Sequence, residues 1–263
     1  MMMHIPEFTK PGQWPVLEDS ENVMEVEALT DLLVRCVEEA SLALYLFNET
    51  GEALRGRADD QNQWSQELRA EWKLRQSYMP KIPPDASDEE YERADAEATR
   101  RARVDLRQQQ LANGVMPSQY VRMLRFMHAR SFLYAFDTVD KTLALLAAGP
   151  GASEVIAEAK ARFKAAFPDL TDVRDSAHHL GDRVQGKRRN RKIDLQPISS
   201  RGVDTTGGVL VIDHLNNDKY GSVLGDGRFG EIEVTVESVK LAQDVVQTVL
   251  DSITWRGSPD YSP

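Results

Sequence analysis

The chain has 263 residues, of which 41% are hydrophobic and 28% are charged, and its formal net charge is −10. This length and balance are typical of a folded protein with one large or two small domains, and they exclude a disordered or membrane-embedded chain. A single cysteine, Cys36, excludes an internal disulfide and a cysteine-based zinc site. The first ten residues lack a basic region followed by an apolar core, and the apolar stretches are far shorter than the roughly 20 residues of a membrane helix. We therefore expect a cytoplasmic protein that does not contact a membrane.

The negative charge is unevenly distributed along the chain. Residues 1–50 carry 10 acids and 2 bases, whereas residues 118–182 carry 8 of each and residues 183–263 carry 11 of each. Acidic proteins repel nucleic-acid phosphates, so the total charge alone argues against RNA or DNA as a partner. The second half is neutral, however, and the net charge does not exclude a nucleic acid there.

The first 117 residues are predicted to form an acidic, helical N-terminal extension. Residues 1–20 contain three prolines and no periodicity, which indicates an arm. Apolar residues recur at helical spacing over 22–48, with Gly51 expected to end that helix. Ser87 and Glu90 form a capping-box pattern at the start of a highly charged helix that reaches about residue 112.

Residues 118–255 are predicted to form a helical bundle with a small β-sheet insertion. A long apolar helix is expected over 118–148, a second over 153–167, and a third that runs from Pro168 to residue 184 and carries the motif described below. The apolar period then changes from helical to two-residue, which predicts an antiparallel β-meander at about 193–236. A closing helix is expected over 238–253, and residues 256–263 are expected to be a tail. The glycine-rich stretch GDGRFG at 225–230 precedes a strand pattern and not a helix, so it is interpreted as a hairpin turn instead of a phosphate-binding loop.

The segment with the most informative chemistry is Arg174-Asp175-Ser176-Ala177-His178-His179. Arg174 and His178 are four residues apart and share a helix face, whereas His179 is rotated by about 140° from Arg174. An arginine can hold a phosphate, and histidine accepts and donates protons near neutral pH. Together they would suffice for RNA cleavage without a metal ion, but the same run on a surface helix also fits salt bridges and solvated charge.

Arg174, Asp175 and His179 resemble the signature of HEPN domains (higher eukaryotes and prokaryotes nucleotide-binding), in which an arginine and a polar residue precede a histidine. The order of predicted helices around the motif is also similar to that family. The resemblance covers residues 118–255 and implies a mainly α (α+β) protein with an antiparallel helical bundle, usually dimeric, whose motifs face each other across a cleft. It also implies a metal-independent endoribonuclease, or an RNA-binding relative without activity, of a bacterial defence or toxin–antitoxin system.

The resemblance assigns a role to each motif residue. Arg174 would bind the scissile phosphate, Asp175 would orient Arg174, and His179 would be the general base or acid. His178 would be an orienting or substitute group. No cofactor or metal ion is expected.

A basic run begins four residues after His179 and contains six cations and no acid. Alone, such a run favours a solvated loop, but next to a phosphate site it is typical of an RNA-binding rim. The residues of this expected RNA-binding group are Arg183, Lys187, Arg188, Arg189, Arg191 and Lys192.

Two other functions are compatible with the sequence. One is a non-enzymatic dimeric scaffold, in which the bundle dimerises and the acidic N-terminal half binds a protein partner. The other is a small-molecule enzyme that uses the meander and the GDGRFG stretch. A homodimer is expected both for the nuclease and for the scaffold. RNA is the expected partner of the nuclease.

Overall fold

Helices account for most of the computed structural model, which describes residues 3–17, 22–58, 61–200 and 202–262. The helices in these ranges are α1 (Val23–Ala58), α2 (Gln61–Tyr78), α3 (Asp88–Ala112), α4 (Ser118–Ala148), α5 (Glu154–Ala166), α6 (Leu170–His178), α7 (Leu180–Val184) and α8 (Val236–Ser252). None of the helices in the described part of the chain is long and apolar enough to cross a bilayer. The prediction of a mainly helical α+β protein is confirmed.

The strands are short and all of their pairings are antiparallel. They are β1 (Phe8–Lys10), β2 (Trp14–Pro15), β3 (Lys187–Arg188), β4 (Arg191–Lys192), β5 (Ser199–Ser200), β6 (Val203–Asp204), β7 (His214–Asn216), β8 (Lys219–Val223), β9 (Phe229–Glu233), β10 (Trp255–Arg256) and β11 (Asp260–Ser262). Strands β7, β8 and β9 form a three-stranded sheet in that order, which is the predicted meander. The other strands form two-stranded pairs.

The chain folds into two compact units, residues 1–48 with 126–263, and residues 49–125. This division differs from the one expected at residue 117. The apolar stripe of α1 packs in the same core as α4, α5, α6, α8 and the inner face of the three-stranded sheet. Residues 23–48 therefore belong to the bundle itself, because burying this stripe stabilises the fold more than exposing it in an extension.

The expected arm and tail are paired with each other. Strand β1 pairs with β11, and β2 pairs with β10, so the two chain ends form short antiparallel pairs. The side chain of Gln247 on α8 bonds the backbone of Thr9 at both N–H and C=O, at 3.0 and 2.9 Å. Pairs of two or three residues have no readable period, and their partners lie 240 to 254 residues apart, so local sequence patterns could not predict them.

A polar network fixes the three-stranded sheet to α4. The Arg130 guanidinium pairs with the carboxylate of Asp213, with Nε at 3.1 Å from Oδ1, and the Tyr220 hydroxyl donates to the same oxygen at 2.6 Å. Burial of Tyr220, followed by its hydrogen bond to Asp213, raises the pKa of the phenol, so Tyr220 stays protonated. Asp213 adopts the left-handed backbone region with φ 54°, which the network holds in place.

The GDGRFG stretch forms the turn between β8 and β9, as predicted, and its last two residues begin β9. The Leu224 N–H donates to the Arg228 carbonyl at 2.7 Å, and the Gly227 N–H donates to the Leu224 carbonyl at 3.1 Å. Gly227 has φ 90°, and a β-carbon there would lie 1.8 Å from the carbonyl oxygen of Asp194. This position therefore requires glycine.

The second unit contains α2 and α3 packed as an antiparallel pair, with ion pairs along their contact. Arg75 pairs with Asp95 and Arg103 with Glu71, so the start of one helix meets the end of the other. The predicted capping box at Ser87 and Glu90 is present at the start of α3. The predicted end of α1 at Gly51 is wrong, because the helix continues to Ala58.

Cys36 is buried in the core on α1, so we expect its thiol to react slowly with alkylating reagents. Burial, followed by the nearby Glu39 carboxylate, raises the pKa of the thiol to about 11. At pH 8 only about one thiol in a thousand is then the reactive thiolate. We expect iodoacetamide to label the native protein far more slowly than the urea-unfolded protein at that pH. Equal labelling rates in the two states would contradict the burial of this side chain.

Candidate functional site

The motif helix α6 ends one residue before His179, which gives the two histidines different backbone environments. The sequence predicted one continuous helix through residue 184, whereas the structure has α6 and α7 with His179 between them at φ −99° and ψ 42°. The His179 N–H still donates to the Asp175 carbonyl at 2.9 Å. Histidine and the following Gly181 are weaker helix formers than alanine or leucine, which is consistent with a break at this point.

Arg174 is held by two carboxylates. Its Nε lies 2.9 Å from Oδ2 of Asp137, and its Nη1 lies 2.8 Å from Oδ1 of Asp175. Asp137 is on α4, its side chain is only 5% exposed, and it also binds the ammonium group of Lys141 at 2.6 Å. The structure thus brings Arg174 and Asp175 together, and it adds a buried acid from another helix.

Two buried atoms in this cluster lack a hydrogen bond. Oδ1 of Asp137 accepts none from the described residues, and the Nε–H of Arg174 is close to Asp137 but not aligned with it. Unsatisfied buried polar groups are rare and occur at functional sites or where a water molecule binds. These two buried atoms therefore mark Asp137 and Arg174 as candidates for a functional role.

His178 and His179 are both exposed and lie next to each other. Their ring centroids are 5.0 Å apart and the rings are nearly perpendicular. Nδ1 of His178 lies 3.3 Å from the hydroxyl of Tyr134 on α4, which is within hydrogen-bonding range. One imidazole is thus oriented by a phenol, and a second, solvent-accessible imidazole lies beside it.

Arg183 is buried, which differs from its expected place in an RNA-binding rim. Its Nε–H donates to the Ser176 hydroxyl of α6 at 3.1 Å, and its Nη1 donates to the Lys187 carbonyl of β3 at 2.9 Å. Burial, followed by the nearby Arg188 charge, lowers the pKa of the Arg183 guanidinium. The side chain joins the motif helix to the basic segment.

The rest of the basic run forms a hairpin instead of a loop. Strands β3 and β4 pair around Arg189 and Asn190, whose positive φ values of 47° and 66° are typical of a two-residue hairpin turn. All of the cations in this basic hairpin are exposed: Lys187, Arg188, Arg189, Arg191 and Lys192. The Ile193 N–H donates to the Gly186 carbonyl at 2.8 Å and closes the base of the hairpin.

Replacing Arg183 with methionine is expected to loosen the basic hairpin while leaving the bundle folded. The substitution removes the donors to Ser176 and Lys187, and two lost hydrogen bonds of this kind cost about 1–3 kcal/mol. Hydrogen exchange at the Ile193 amide should become faster in Arg183→Met. The exposed Arg191→Met variant in the same hairpin serves as the control, and equal exchange in the two variants would contradict a linking role for Arg183.

Sequence analysis did not identify Tyr134 and Asp137. Both lie on α4, some 40 residues before the motif, so no local pattern connects them to it. For Asp137 there was one available signal, because it is an acid inside a strongly apolar helix. Buried carboxylates are rare without a partner, so its position could have indicated a paired cation. Among the described residues, no group of three or more His, Cys, Asp or Glu side chains is placed to hold a metal ion.

Comparison with known proteins gives no relationship for this chain: no family model, curated protein or solved structure matches it.

Proposed function

We propose that the chain is a metal-independent endoribonuclease that uses His179 and His178 as proton-transfer groups and the basic hairpin as its RNA-binding surface. The observation that carries the proposal is the buried Arg183, which joins α6, the helix that ends at His178, to the hairpin that carries five exposed cations. A phosphate backbone bound by these cations would run next to two exposed imidazoles.

The proposed reaction is a transesterification. One imidazole takes the proton of the ribose 2′-hydroxyl, and the 2′-oxygen attacks the adjacent phosphorus. The bond between phosphorus and the 5′-oxygen breaks, and a protonated imidazole donates a proton to that oxygen. The products are a 2′,3′-cyclic phosphate and a 5′-hydroxyl. We assign His179 as the base, and His178 as its neighbour that donates or orients.

Arg174 would stabilise the negative charge that develops on the phosphate. Its side chain is 17% exposed, and Asp175 is the more exposed of its two acidic partners. A phosphate that approaches from solvent would therefore compete with Asp175 and leave the buried contact to Asp137 in place. Asp137 would then hold the guanidinium in position, a task that sequence analysis gave to Asp175.

The HEPN-like bundle, the homodimer with two facing motifs, and the bacterial defence or toxin–antitoxin context belong to the same proposal. They are supported by the motif pattern and by the helical surroundings of Arg174. In a cell, this predicts growth arrest upon expression of the wild type and not of a His179→Ala variant.

A matched pair of charge variants tests the RNA-binding surface. The hairpin variant carries Lys187→Gln, Arg191→Gln and Lys192→Gln, and the control carries Lys160→Gln, Lys164→Gln and Lys240→Gln on α5 and α8. Both lose three positive charges, but only the hairpin variant should bind single-stranded RNA more weakly, with a salt-dependence slope reduced by up to about 2. Equal effects in both variants would reject the hairpin as the binding surface.

The scaffold hypothesis is favoured by one specific observation. The guanidinium of Arg174 already has two carboxylate partners, as in a structural ion pair. If the wild type does not cleave RNA in the presence of EDTA, the nuclease proposal is overturned. The better hypothesis is then a scaffold that binds a protein partner through its acidic N-terminal half.

A further inference from the structure

A cavity of about 160 Å³ lies at the edge of the main core, where the two chain ends meet the ends of α4 and α8. Its walls come from the residues just after β2, from the start of α1, from the end of α4 and the turn that follows it, from α5, and from the end of α8 with the two residues beyond it. All of these elements belong to the first compact unit. The cavity shares no lining residue with the histidine cluster.

The inner wall of this cavity is aliphatic. Val26 on α1, Leu146 on α4 and Ile156 on α5 are each at most 2% exposed, and all three belong to the main core. Leu17 and Ile253 line the cavity from the two chain ends and pack against the same core. Such a wall favours an apolar group over water, because binding removes apolar surface from solvent.

The glycine–proline–glycine turn after α4 explains why space remains at this point. The Ala152 N–H donates to the Gly149 carbonyl at 3.2 Å and closes the turn. Gly151 has φ 78°, and a β-carbon there would lie 2.9 Å from Cδ2 of Leu17. The turn therefore contributes only the ring of Pro150 as a side chain to the wall, and the space between the ends of α4 and α5 stays partly unfilled.

The outer wall of the cavity is polar but uncharged. Ser252 and Thr254 contribute hydroxyl groups to it, and none of the described residues that line the cavity has an ionisable side chain. The Ser252 hydroxyl donates to the Val249 carbonyl at 2.8 Å, and its oxygen can still accept a hydrogen bond. A charged ligand would lose its hydration here without gaining an ion pair.

Backbone hydrogen bonds hold the two chain ends around the cavity. The Val16 N–H donates to the Thr254 carbonyl at 2.7 Å, and both residues line the cavity. The indole N–H of Trp255 donates to the Leu250 carbonyl at 2.8 Å and fixes the chain after α8. A ligand that contacts both chain ends would stabilise their pairing, because a molecule that binds only the paired arrangement shifts the equilibrium toward it.

We propose that this cavity binds a small uncharged molecule with one aromatic ring and one hydroxyl group. An apolar cavity of about 150 Å³ is large enough to bind benzene. The ring would pack against Val26, Leu146 and Ile156, and the hydroxyl would lie at the outer wall and donate to Ser252. The site does not depend on the proposed nuclease activity.

Phenol is the probe, titrated into the full chain with methyl NMR signals as the readout. We expect shifts at Leu146 and Ile156 with a Kd of about 1 mM or tighter, and at least about tenfold weaker binding of benzoate, which carries a charge. Phenol should also slow hydrogen exchange of the Val16 amide. Val26→Phe should fill the cavity and abolish binding, whereas Val155→Phe, the same change at an exposed position of α5, should not.

Three outcomes would overturn this proposal. The first is the absence of shifts at Leu146 and Ile156 at about 10 mM phenol, which is well above the expected Kd. The second is equal affinity for benzoate. The third is phenol affinity that Val26→Phe leaves unchanged in a variant that unfolds at the wild-type temperature. If Val26→Phe does not fold, the milder Val26→Leu takes its place and should weaken phenol binding at least about threefold.

Discussion

Replacing His179 with alanine is expected to slow the proposed metal-independent cleavage of RNA by about 100- to 10,000-fold, which is the usual contribution of general acid–base catalysis. His179 is exposed at the end of α6, beside a second imidazole and next to the helix that leads into the basic hairpin. Because its side chain has no packing role in the core, the loss should appear in the rate and not in stability. Initial cleavage rates with EDTA present, at neutral pH, measure it.

His178→Ala should have a smaller effect than His179→Ala. Tyr134→Phe should lower the rate by a smaller factor than His178→Ala, because the phenol lies 3.3 Å from Nδ1 of His178 and orients it. Thr171→Ala, an exposed substitution on the same helix, is the matched control and should retain full activity. If His179→Ala and Thr171→Ala cleave RNA at the same rate, the assignment of His179 as the base is wrong.

Replacing Asp137 with alanine is expected to lower the free energy of unfolding by about 3 kcal/mol, since removal of one partner leaves a largely buried charge uncompensated. Asp137 is 5% exposed and pairs with Arg174, which is 17% exposed, and with Lys141. Lys141 can turn into solvent, whereas Arg174 keeps only Asp175. Urea unfolding at neutral pH measures the difference from wild type.

Asp140→Ala, at a partly exposed acid of the same helix, is the control and should cost less than about 1 kcal/mol. The double variant Asp137→Leu with Arg174→Met should lose less stability than the sum of its two single changes, because both charges are then removed together. If Asp137→Ala is as stable as the Asp140 control, Arg174 does not depend on Asp137.

Much of the helical framework could be predicted from local patterns. The stripes of α1, α4 and α8 have helical spacing, and the residues of these stripes form the core. The capping box at Ser87 and the turn at 225–230 depend on the chemistry of neighbouring residues, and both are present. Such features are readable because the interactions that stabilise them join residues a few positions apart.

Contacts between distant residues explain what the sequence did not reveal. Nothing in the first ten residues indicates that they pair with 260–262, and the acidity of residues 1–50 concealed that α1 supplies part of the bundle core. The break at His179 and the burial of Arg183 depend on how α7 and β3 pack, and the long-range partners Tyr134 and Asp137 come from another helix. Sequence reasoning therefore located the motif but not the groups that position it.

The chemical ends of cleaved RNA test the central claim most directly. A defined single-stranded RNA is incubated with the purified chain in the presence of EDTA, and the products are analysed by mass spectrometry. The account predicts fragments with 2′,3′-cyclic phosphate and 5′-hydroxyl ends that are lost in His179→Ala and retained in Thr171→Ala. Intact RNA with the wild type, or fragments with 5′-phosphate ends, would contradict it.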